Sequence, residues 1–331
     1  MSPLGLDVGT SRVVLAETAG NGASEEYKYL SQLNAFVRIP YSRITENILR
    51  KEGVPYSVHG ADLVIHGNES ERFADLLGRE MRRPMRAGLV NSTEPESEGQ
   101  LAEILASVLK DVTEKGRKIT FSVPAPPLGA TDSTAYHETA VKRILNELGF
   151  EAQSLNEGLA VVYAELAESN YTGIGISCGG GLCNVCFAYL SVPVLTFSIP
   201  KAGDYIDANT AQATGELATR IRITKEQEFR LGPSQPDKLH QVIASYYDEM
   251  IQALIEGMKE SFRVSKTMPK LGRPIPLVLS GGSATPGGFV DRFQKAMGGT
   301  DFPIPVSEVR LASEPLYASA KGSLIAALSE A

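Results

Sequence analysis

All three cysteines of the chain lie in one short stretch, at Cys178, Cys183 and Cys186, with the spacing C-x4-C-x2-C. This spacing matches part of a plant-type iron–sulfur pattern, but that pattern needs a fourth thiolate and the chain has only three cysteines. The flanking segments TGIGIS and LCNVCFAYL have the composition of apolar strands. Because successive side chains of a strand alternate faces, Cys183 and Cys186 should point to opposite sides of a sheet. The pattern therefore favours small apolar side chains in a buried strand over a metal site.

Three consecutive glycines, Gly179, Gly180 and Gly181, separate the two strand segments. Without Cβ atoms, a turn can place backbone N–H groups directly against a ligand, and phosphate is the usual ligand of such a nest. The glycines therefore predict a phosphate-binding hairpin turn.

The composition limits the class of protein. The chain has 331 residues, enough for two domains, and its 43% hydrophobic and 21% charged residues are ordinary for a globular protein. No apolar run approaches the roughly 20 residues that a membrane span needs, and the segment MSPLGLDVGT lacks the features of a signal peptide. A formal charge of −7 argues against a general nucleic-acid binder. These features predict a cytoplasmic protein that binds no nucleic acid.

Strand and helix patterns alternate along the chain. An N-terminal hairpin with a polar turn is followed by short strands, by a helix near 70–81 capped by Ser70, and by an amphipathic helix over 96–115. The second half also starts with a hairpin, and it ends in a buried strand, a glycine turn and a closing helix. The alternation predicts an α/β class, with two related domains whose facing phosphate turns would leave a nucleotide in the cleft between them.

Five stretches, in this order, resemble the actin, heat-shock chaperone and sugar kinase superfamily, and within it most of all the bacterial actin MreB and its relatives. They resemble the first phosphate loop, the lead into a helix, the helix of the catalytic glutamate, the segment after the second phosphate hairpin, and the adenosine loop. The stretches are LDVGTSRVVLA, MRAGLVNSTE, LNEGLAVVYAEL, FSIPKAGDYIDANTAQ and LVLSGGSATPGGFVDRF. The resemblance covers almost the whole chain and implies two RNase H-like domains of the actin-like ATPase fold around a nucleotide cleft. It implies that residues 1–155 with 316–331 form domain I, and that 156–315 form domain II.

The resemblance implies ATP and Mg²⁺ as cofactors and assigns roles to individual residues. Asp7 would hold Mg²⁺ through water, because hard cations prefer carboxylate oxygen. Glu157 would orient the attacking water, as sites of phosphoryl transfer require. The remaining residues would bind the phosphates and the nucleoside. They are Gly9, Thr10, Ser11, Gly179, Gly180, Gly181, Gly203, Asp204, Gly281, Gly282 and Ser283.

Each of these stretches also has a purely structural explanation. An Asp-x-Gly sequence forms ordinary hairpin turns, and a glutamate in the first turn of a helix interacts with the helix dipole. A charge-rich stretch, RITKEQEFRLG, resembles the region that supplies a residue beside the adenine. The pattern does not select among Lys225, Glu226 and Glu228 for this role, and a solvated helix face is the favoured explanation for each of them.

The second phosphate hairpin departs from the superfamily pattern D-I-G-G-G-T. Ser177 stands where the pattern has aspartate, Leu182 stands where it has threonine, and Gly158 replaces the proline that usually follows the glutamate. The backbone nest survives, but a carboxylate and a hydroxyl do not. Because positioning and electrostatic stabilisation provide most of the catalysis, ATP hydrolysis should be slow or absent.

Three functions are consistent with these features of the sequence. The first is a filament-forming, cytoskeletal ATPase of the MreB type with weak hydrolysis. The second is a chaperone-like or reactivase-like ATPase that clamps a protein partner, and the third is a non-polymerising nucleotide-dependent scaffold similar in role to FtsA or PilM. Membrane-binding amphipathic segments are missing from the sequence pattern, so direct membrane attachment is not expected.

Overall fold

A computed structural model describes residues 2–19, 26–112, 114–129, 134–265 and 268–330. The first half of the chain alternates strands with helices and ends in a helix that follows its last strand directly. Its elements are β1 (Leu4–Val8), β2 (Arg12–Thr18), β3 (Tyr27–Leu33), β4 (Phe36–Pro40), α1 (Arg43–Glu52), β5 (Tyr56–His59), β6 (Asp62–His66), α2 (Asn68–Leu77), β7 (Met85–Arg86), β8 (Leu89–Val90), α3 (Ser97–Val108), β9 (Lys118–Val123), α4 (Ala135–Glu147), β10 (Glu151–Asn156) and α5 (Glu157–Glu165).

The second half opens with three consecutive strands and closes with a helix. Its elements are β11 (Gly173–Cys178), β12 (Cys183–Tyr189), β13 (Val192–Ile199), α6 (Gly203–Thr214), α7 (Ala218–Gln227), α8 (Lys238–Val264), β14 (Ile275–Ser280), α9 (Phe289–Gly298), β15 (Val306–Leu311) and α10 (Ala318–Ser329). Short 3₁₀ turns occupy Ala167–Ser169 and Gly282–Ala284. Within the described ranges, no helix is both long enough and apolar enough to cross a membrane.

The two main sheets have the same strand connectivity. The first has the order β10-β9-β1-β2-β3 and the second the order β13-β12-β11-β14-β15, which is the same arrangement read from the other edge. In each sheet an antiparallel three-stranded meander comes first. One later strand then pairs in parallel with the first strand, and a second later strand pairs in parallel with that one. The predicted α/β class and the predicted repetition of one plan are therefore confirmed.

Several elements differ from the sequence prediction. Strands β3, β4 and β15 and helix α1 were not predicted, and the expected cap at Ser70 is wrong because α2 begins earlier, after Gly67. Asn68 fixes that start: its backbone N–H donates to the Gln32 side chain at 3.0 Å and its Oδ1 accepts from the Leu33 N–H at 3.0 Å. Ser70 lies inside the helix, and its hydroxyl donates to the Gly67 carbonyl. The start of α2 is thus set by contacts with β3, which local sequence signals do not encode.

Each sheet has its own apolar core. In the first, Leu6 and Phe121 of the strands pack with Leu101 of α3 and Val141 of α4. In the second, the strands pack against α6, α8 and α9, with Tyr247 of α8 completely buried. Burial of apolar area at about 25 cal/mol per Å² is the main favourable term for both halves.

Helices α5 and α10 lie between the two sheets and touch each other at small residues. A Cβ placed on Gly322 of α10 would lie 1.7 Å from the Ala160 carbonyl oxygen of α5. A Cβ on Gly5 of β1 would lie 2.2 Å from the Ala320 carbonyl oxygen. Since real Cβ atoms never approach so closely, these backbones can meet only at glycine.

We expect Gly322→Ala to destabilise the protein by about 2–4 kcal/mol, because the added methyl must push α10 away from α5. Chemical denaturation with an unchanged m-value would measure the loss. The matched control is Gly99→Ala in α3, where a Cβ meets no atom within 4 Å. That change should be neutral or stabilise by about 0.5–1 kcal/mol through helix propensity. Equal stabilities of the two variants would show that the α5–α10 contact tolerates a methyl group.

Candidate functional site

A cleft of about 480 Å³ lies between the two halves, and its lining includes every residue that the sequence assigned to a nucleotide site. These residues come from the β1–β2 turn, the start of α5, the β11–β12 turn, the start of α6 and the turn after β14. They are Asp7, Gly9, Thr10, Ser11, Glu157, Gly179, Gly180, Gly181, Gly203, Asp204, Gly281, Gly282 and Ser283. The fold therefore brings them together from most of the chain's length, while their role in binding stays a prediction.

The β1–β2 turn is held by backbone and side-chain hydrogen bonds. Asn34 donates its side-chain N–H to the Gly9 carbonyl at 2.8 Å and its backbone N–H to the Ser11 carbonyl at 2.9 Å. The Thr10 hydroxyl accepts a hydrogen bond from the Gly88 N–H at 2.9 Å. The turn is thus fixed on one side by Asn34, which follows β3, and on the other by the β7–β8 turn.

Asp7 lies at the cleft floor, near the end of β1. The Ser122 hydroxyl donates to Asp7 Oδ1 at 2.5 Å, and the same hydroxyl oxygen accepts from the Val8 N–H at 3.1 Å. Burial raises the pKa of Asp7 from 3.8 to about 6, although the Ser122 hydrogen bond acts in the opposite direction. The carboxyl group therefore lies in a site where its charge is poorly compensated by protein groups.

Glu157 reaches the cleft because α5 begins immediately after β10. The Asn156 side chain caps the helix by accepting the Leu159 N–H at 3.1 Å, which places Glu157 in the first helical position. A carboxylate is favourable there because the first turn of a helix carries a positive partial charge.

Both carboxyl oxygens of Glu157 are held by neutral side chains of the second hairpin. The Ser177 hydroxyl donates to Oε1 at 2.6 Å and the Asn184 amide donates to Oε2 at 2.8 Å. Asn184 is itself fixed, since its Oδ1 accepts the Ala125 N–H at 2.9 Å. A carboxylate offers about four lone-pair sites, so each oxygen of Glu157 can still accept one further hydrogen bond.

The charge of Glu157 is disfavoured in this position. Burial and the nearby Asp7 carboxylate raise the pKa of Glu157 from 4.5 to about 8, while the hydrogen bond from Ser177 lowers it. The two carboxyl groups therefore repel each other across the cleft floor. The sequence signal for this arrangement is the departure at Ser177, which leaves Glu157 beside a hydroxyl where the superfamily has a second carboxylate.

The second hairpin turn is tied to the start of α6 and to the turn after β14. The Gly179 carbonyl accepts from the Gly203 N–H at 3.1 Å and from the Ser283 hydroxyl at 2.9 Å. The Gly180 carbonyl accepts from the Asp204 N–H at 2.7 Å. Hydrogen bonds thus connect the three predicted segments into one wall of the cleft. The Gly203 and Asp204 N–H groups at the start of α6 are already used by the carbonyls of the hairpin turn.

The cysteines take the structural role that the sequence favoured. Cys178 and Cys183 belong to the core of the second sheet, and Cys186 belongs to the cluster on the other face beneath α5, so the predicted alternation of faces is confirmed. A Cβ on Gly281 would lie 2.3 Å from the Cys178 carbonyl oxygen, and Gly281 has a φ of +86°. Both facts require glycine at this position.

Two ion pairs across the cleft were not foreseen from the sequence. Arg83 Nη1 lies 2.8 Å from Asp204 Oδ1, and Arg222 of α7 pairs with Glu71 of α2. Each pair joins the first half of the chain to the second. No local pattern could have shown them, because the partners are more than a hundred residues apart in sequence.

Two of the three candidate residues in the charge-rich stretch lie at the cleft, while an adenine-side role for any of them stays a prediction. Lys225, which is buried, and Glu226, which is exposed, line the cleft, whereas Glu228 follows the last residue of α7 and is not part of the lining. Lys225 Nζ lies 2.8 Å from Asp207 Oδ1 and donates to the Gly203 carbonyl at 3.1 Å. Burial raises the pKa of Asp207, and the adjacent Lys225 acts against that shift. Lys225 is therefore held in place at the cleft wall.

The chemistry of the cleft floor fits a divalent cation. Asp7 and Glu157 are two buried carboxyl groups that repel each other, and a hard cation prefers such oxygen ligands. Within the residues that the structure describes, no group of three or more His, Cys, Asp or Glu is arranged to hold a metal ion. Mg²⁺ commonly takes one or two carboxylates and completes its shell with water and phosphate, so the Asp7 carboxylate fits Mg²⁺, while both oxygens of Glu157 are held by Ser177 and Asn184.

Two related sheets, the crossing helices α5 and α10, and a cleft lined by three glycine-containing turns define the actin-like ATPase fold. The chain belongs to the Volactin family, whose family model matches residues 1–327. No match was found among curated protein sequences.

Solved structures with the same fold cover nearly the whole chain. The MamK double helical filament is 16% identical with a TM-score of 0.73, and the match covers 99% of this chain and 98% of that one. MreB5 of Spiroplasma citri bound to AMPPNP is 15% identical with a TM-score of 0.62, covering 97% and 94%. The ethanolamine utilization protein EutJ from Carboxydothermus hydrogenoformans is 16% identical with a TM-score of 0.56, covering 98% and 89%. At these identities the similarity establishes the fold.

The raised pKa of Glu157 predicts a pH-dependent stability. Between its ordinary pKa of 4.5 and its folded pKa of about 8, the folded state binds more protons than the unfolded state. Stability should therefore fall as pH rises through this window and level off above it. Glu157→Gln should flatten this decline and raise Tm at pH 8 by several degrees, because a neutral amide replaces the disfavoured charge.

Melting curves from pH 5 to 9 in buffer without divalent cations would measure this effect. The exposed Glu168→Gln is the matched control and should keep the wild-type slope. Parallel curves for wild type and Glu157→Gln would contradict the assignment of a raised pKa to Glu157.

Proposed function

We propose that the protein is an actin-like, nucleotide-binding protein that holds Mg²⁺-ATP in the cleft, assembles into filaments and hydrolyses ATP weakly. The observation that carries the proposal is the convergence of the three glycine-containing turns and two carboxyl groups on one cleft. Backbone N–H groups and hydroxyls of such turns can donate hydrogen bonds to phosphates. Turns with a purely structural role would not need to converge on one cleft. We also propose the domain division 1–155 with 316–331, and 156–315, which is supported by the packing of α10 on β1 and β9.

In this proposal the side chains have distinct tasks. Asp7 holds Mg²⁺ through water, and Mg²⁺ when bound supplies charge neutralisation to the phosphates. Gly9, Thr10 and Ser11 contact the phosphates from the first half of the chain. Glu157 accepts a hydrogen bond from the attacking water through a lone pair that Ser177 and Asn184 leave free.

Weak hydrolysis follows from the surroundings of Glu157. A carboxyl group whose pKa is raised to about 8 is largely protonated at neutral pH and therefore accepts a proton poorly. Leu182 supplies no hydroxyl at the position where the superfamily has threonine. Both features favour slow hydrolysis. Bound ATP would then stay intact for longer than it does in typical ATPases.

Filament formation is supported by similarity to structures whose fold this chain shares. MamK, the match with a TM-score of 0.73, was solved as a double helical filament. Identical subunits that stack through unlike surfaces form open-ended assemblies, as filaments require. A location in the cytoplasm is part of the same proposal.

We expect Asp7→Ala to weaken ATP binding at least tenfold in the presence of Mg²⁺, since the variant loses the carboxylate that orders the metal's water shell. Calorimetry should show a much smaller effect when Mg²⁺ is replaced by a chelator. Asp301→Ala, whose side chain is 98% exposed, is the control and should bind like the wild type. If Asp7→Ala binds Mg²⁺-ATP with the wild-type affinity, the β1–β2 turn is not part of the ATP site.

We expect high-speed centrifugation to pellet the purified protein above a critical concentration when Mg²⁺ and ATP are present. Parallel samples with ADP or without nucleotide show whether assembly depends on the nucleotide. A protein that binds ATP but stays in the supernatant at every concentration would contradict filament formation. It would favour the nucleotide-dependent scaffold or the chaperone-like clamp, and a protein partner would then be sought.

A further inference from the structure

Arg12 is the first residue of β2 and directly follows the β1–β2 turn. Its carbonyl accepts the Gly9 N–H at 3.0 Å, so the backbone of Arg12 closes the turn. The next two residues show the direction of its side chain, since Val13 belongs to the core of the first sheet and Val14 packs against α10. Because side chains alternate along a strand, Arg12 lies on the same face as Val14. That face borders the cleft, and both residues are part of its lining.

The basic residues of the cleft differ in their partners. Three of the described residues that line it are basic, namely Arg12, Arg222 and Lys225. Arg222 pairs with Glu71, and Lys225 pairs with Asp207. Arg12 is exposed, and in the part of the chain that the structure describes its side chain has neither an ion-pair partner nor a hydrogen-bond partner. Its positive charge is therefore available to an anion in the cleft.

Carboxyl groups outnumber basic groups among the described residues that line the cleft. They belong to Asp7, Glu157, Asp204, Asp207 and Glu226. Two of them have basic partners, because Asp204 pairs with Arg83 and Asp207 pairs with Lys225. A nucleoside triphosphate is itself a polyanion, and like charges repel more strongly in a partly buried site than in water. A free cation on the cleft wall would offset this repulsion.

The second hairpin turn adds no positive charge to the site. Its three glycines have no side chains, and the residue that follows them is the apolar Leu182. The Leu182 side chain is only 5% exposed and packs on Gly88 of the β7–β8 turn, where an added Cβ would lie 2.3 Å from Leu182 Cδ1. Positive charge for a phosphate chain must therefore come from another part of the lining, and Arg12 is the basic residue there whose charge is not already paired within the described structure.

We propose that Arg12 is a phosphate-binding cation of the cleft and makes the site selective for nucleotides over uncharged nucleosides. This inference rests on the proposed nucleotide binding and adds the residue that recognises the charge of the ligand. Arg12 follows Ser11 directly in the chain and lines the same cleft, so the turn and the guanidinium group can bind one phosphate chain. A guanidinium group suits this task because its parallel N–H groups match two oxygens of a phosphate.

Calorimetry with Mg²⁺-ATP tests this inference on wild-type protein and three variants. Arg12→Gln removes the charge and should weaken ATP binding about 10- to 100-fold, the loss expected for a hydrogen bond to a charged group. Arg12→Lys keeps the charge without the planar fork and should lose only about fivefold or less. The matched control is Arg43→Gln, which makes the same charge change at an exposed position of α1 outside the cleft lining, and it should bind like the wild type.

Two further readouts separate recognition of charge from a structural effect. Raising KCl from about 0.05 to 0.5 M should weaken ATP binding more steeply in the wild type than in Arg12→Gln, because salt screens the lost interaction. Adenosine carries no phosphate, so wild type and Arg12→Gln should bind it equally. Because Arg12 is exposed, the variant should keep the wild-type Tm within about 2 °C.

The outcomes distinguish this inference from the proposal on which it rests. If Arg12→Gln binds ATP as tightly as the wild type, the inference is overturned and nucleotide binding is left intact. An equal loss for adenosine and ATP, or an equal loss in Arg12→Lys and Arg12→Gln, also overturns it, since neither fits recognition of phosphate charge. If adenosine binds too weakly to be measured, the ATP affinities and their salt dependence decide. Wild-type protein that binds no ATP overturns the proposed function itself.

Discussion

The close approach of α5 to the second sheet is the constraint on which the site depends. A Cβ on Gly158 would lie 2.7 Å from the Cys186 N, and one on Gly175 would lie 2.5 Å from the Gly158 carbonyl oxygen. Because both positions are glycine, the helix lies directly on β11 and β12, and Glu157 at its start reaches the hydrogen bonds of Ser177 and Asn184. The loss of the superfamily's proline at Gly158 is explained in the same way, since no side chain fits between the helix and the strand.

The electrostatics of the cleft floor depend on Ser177, which stands where the superfamily has an aspartate. With Ser177 beside it, Glu157 gains a hydrogen bond and avoids a second adjacent negative charge, yet burial and Asp7 still disfavour its ionised form. A neutral, firmly held carboxyl group suits a structural link between α5 and the second hairpin. It is a weaker base than an ionised glutamate, which connects the local packing to the expected slow hydrolysis.

The contacts across the cleft are of two kinds with different consequences. The Leu182–Gly88 contact is apolar and is not screened by salt, whereas the pairs Arg83–Asp204 and Arg222–Glu71 are electrostatic and partly exposed, so salt screens them. Both kinds join segments near a glycine-containing turn of the cleft to the opposite half of the molecule. The relative position of the two halves is therefore fixed in this structure by contacts beside the turns.

The sequence by itself determined the class of fold, the two hairpins and the residues that line the cleft, because these depend on local signals. Glycine runs, alternating apolar residues and capped helices can be recognised within a few residues, and the resemblance of five short stretches to a known superfamily pointed to Asp7, Glu157 and Gly281. The start of α2, the strands β3, β4 and β15, and the ion pairs of Arg83 and Arg222 were decided only by the tertiary structure. Their partners lie far away in the chain, so the hydrogen bonds and charges that fix them have no local pattern. The tertiary structure also decided the role of Leu182. In the sequence this residue indicated only the loss of the hydroxyl group that the superfamily has there. In the fold its side chain packs on Gly88 and so joins the two halves of the chain.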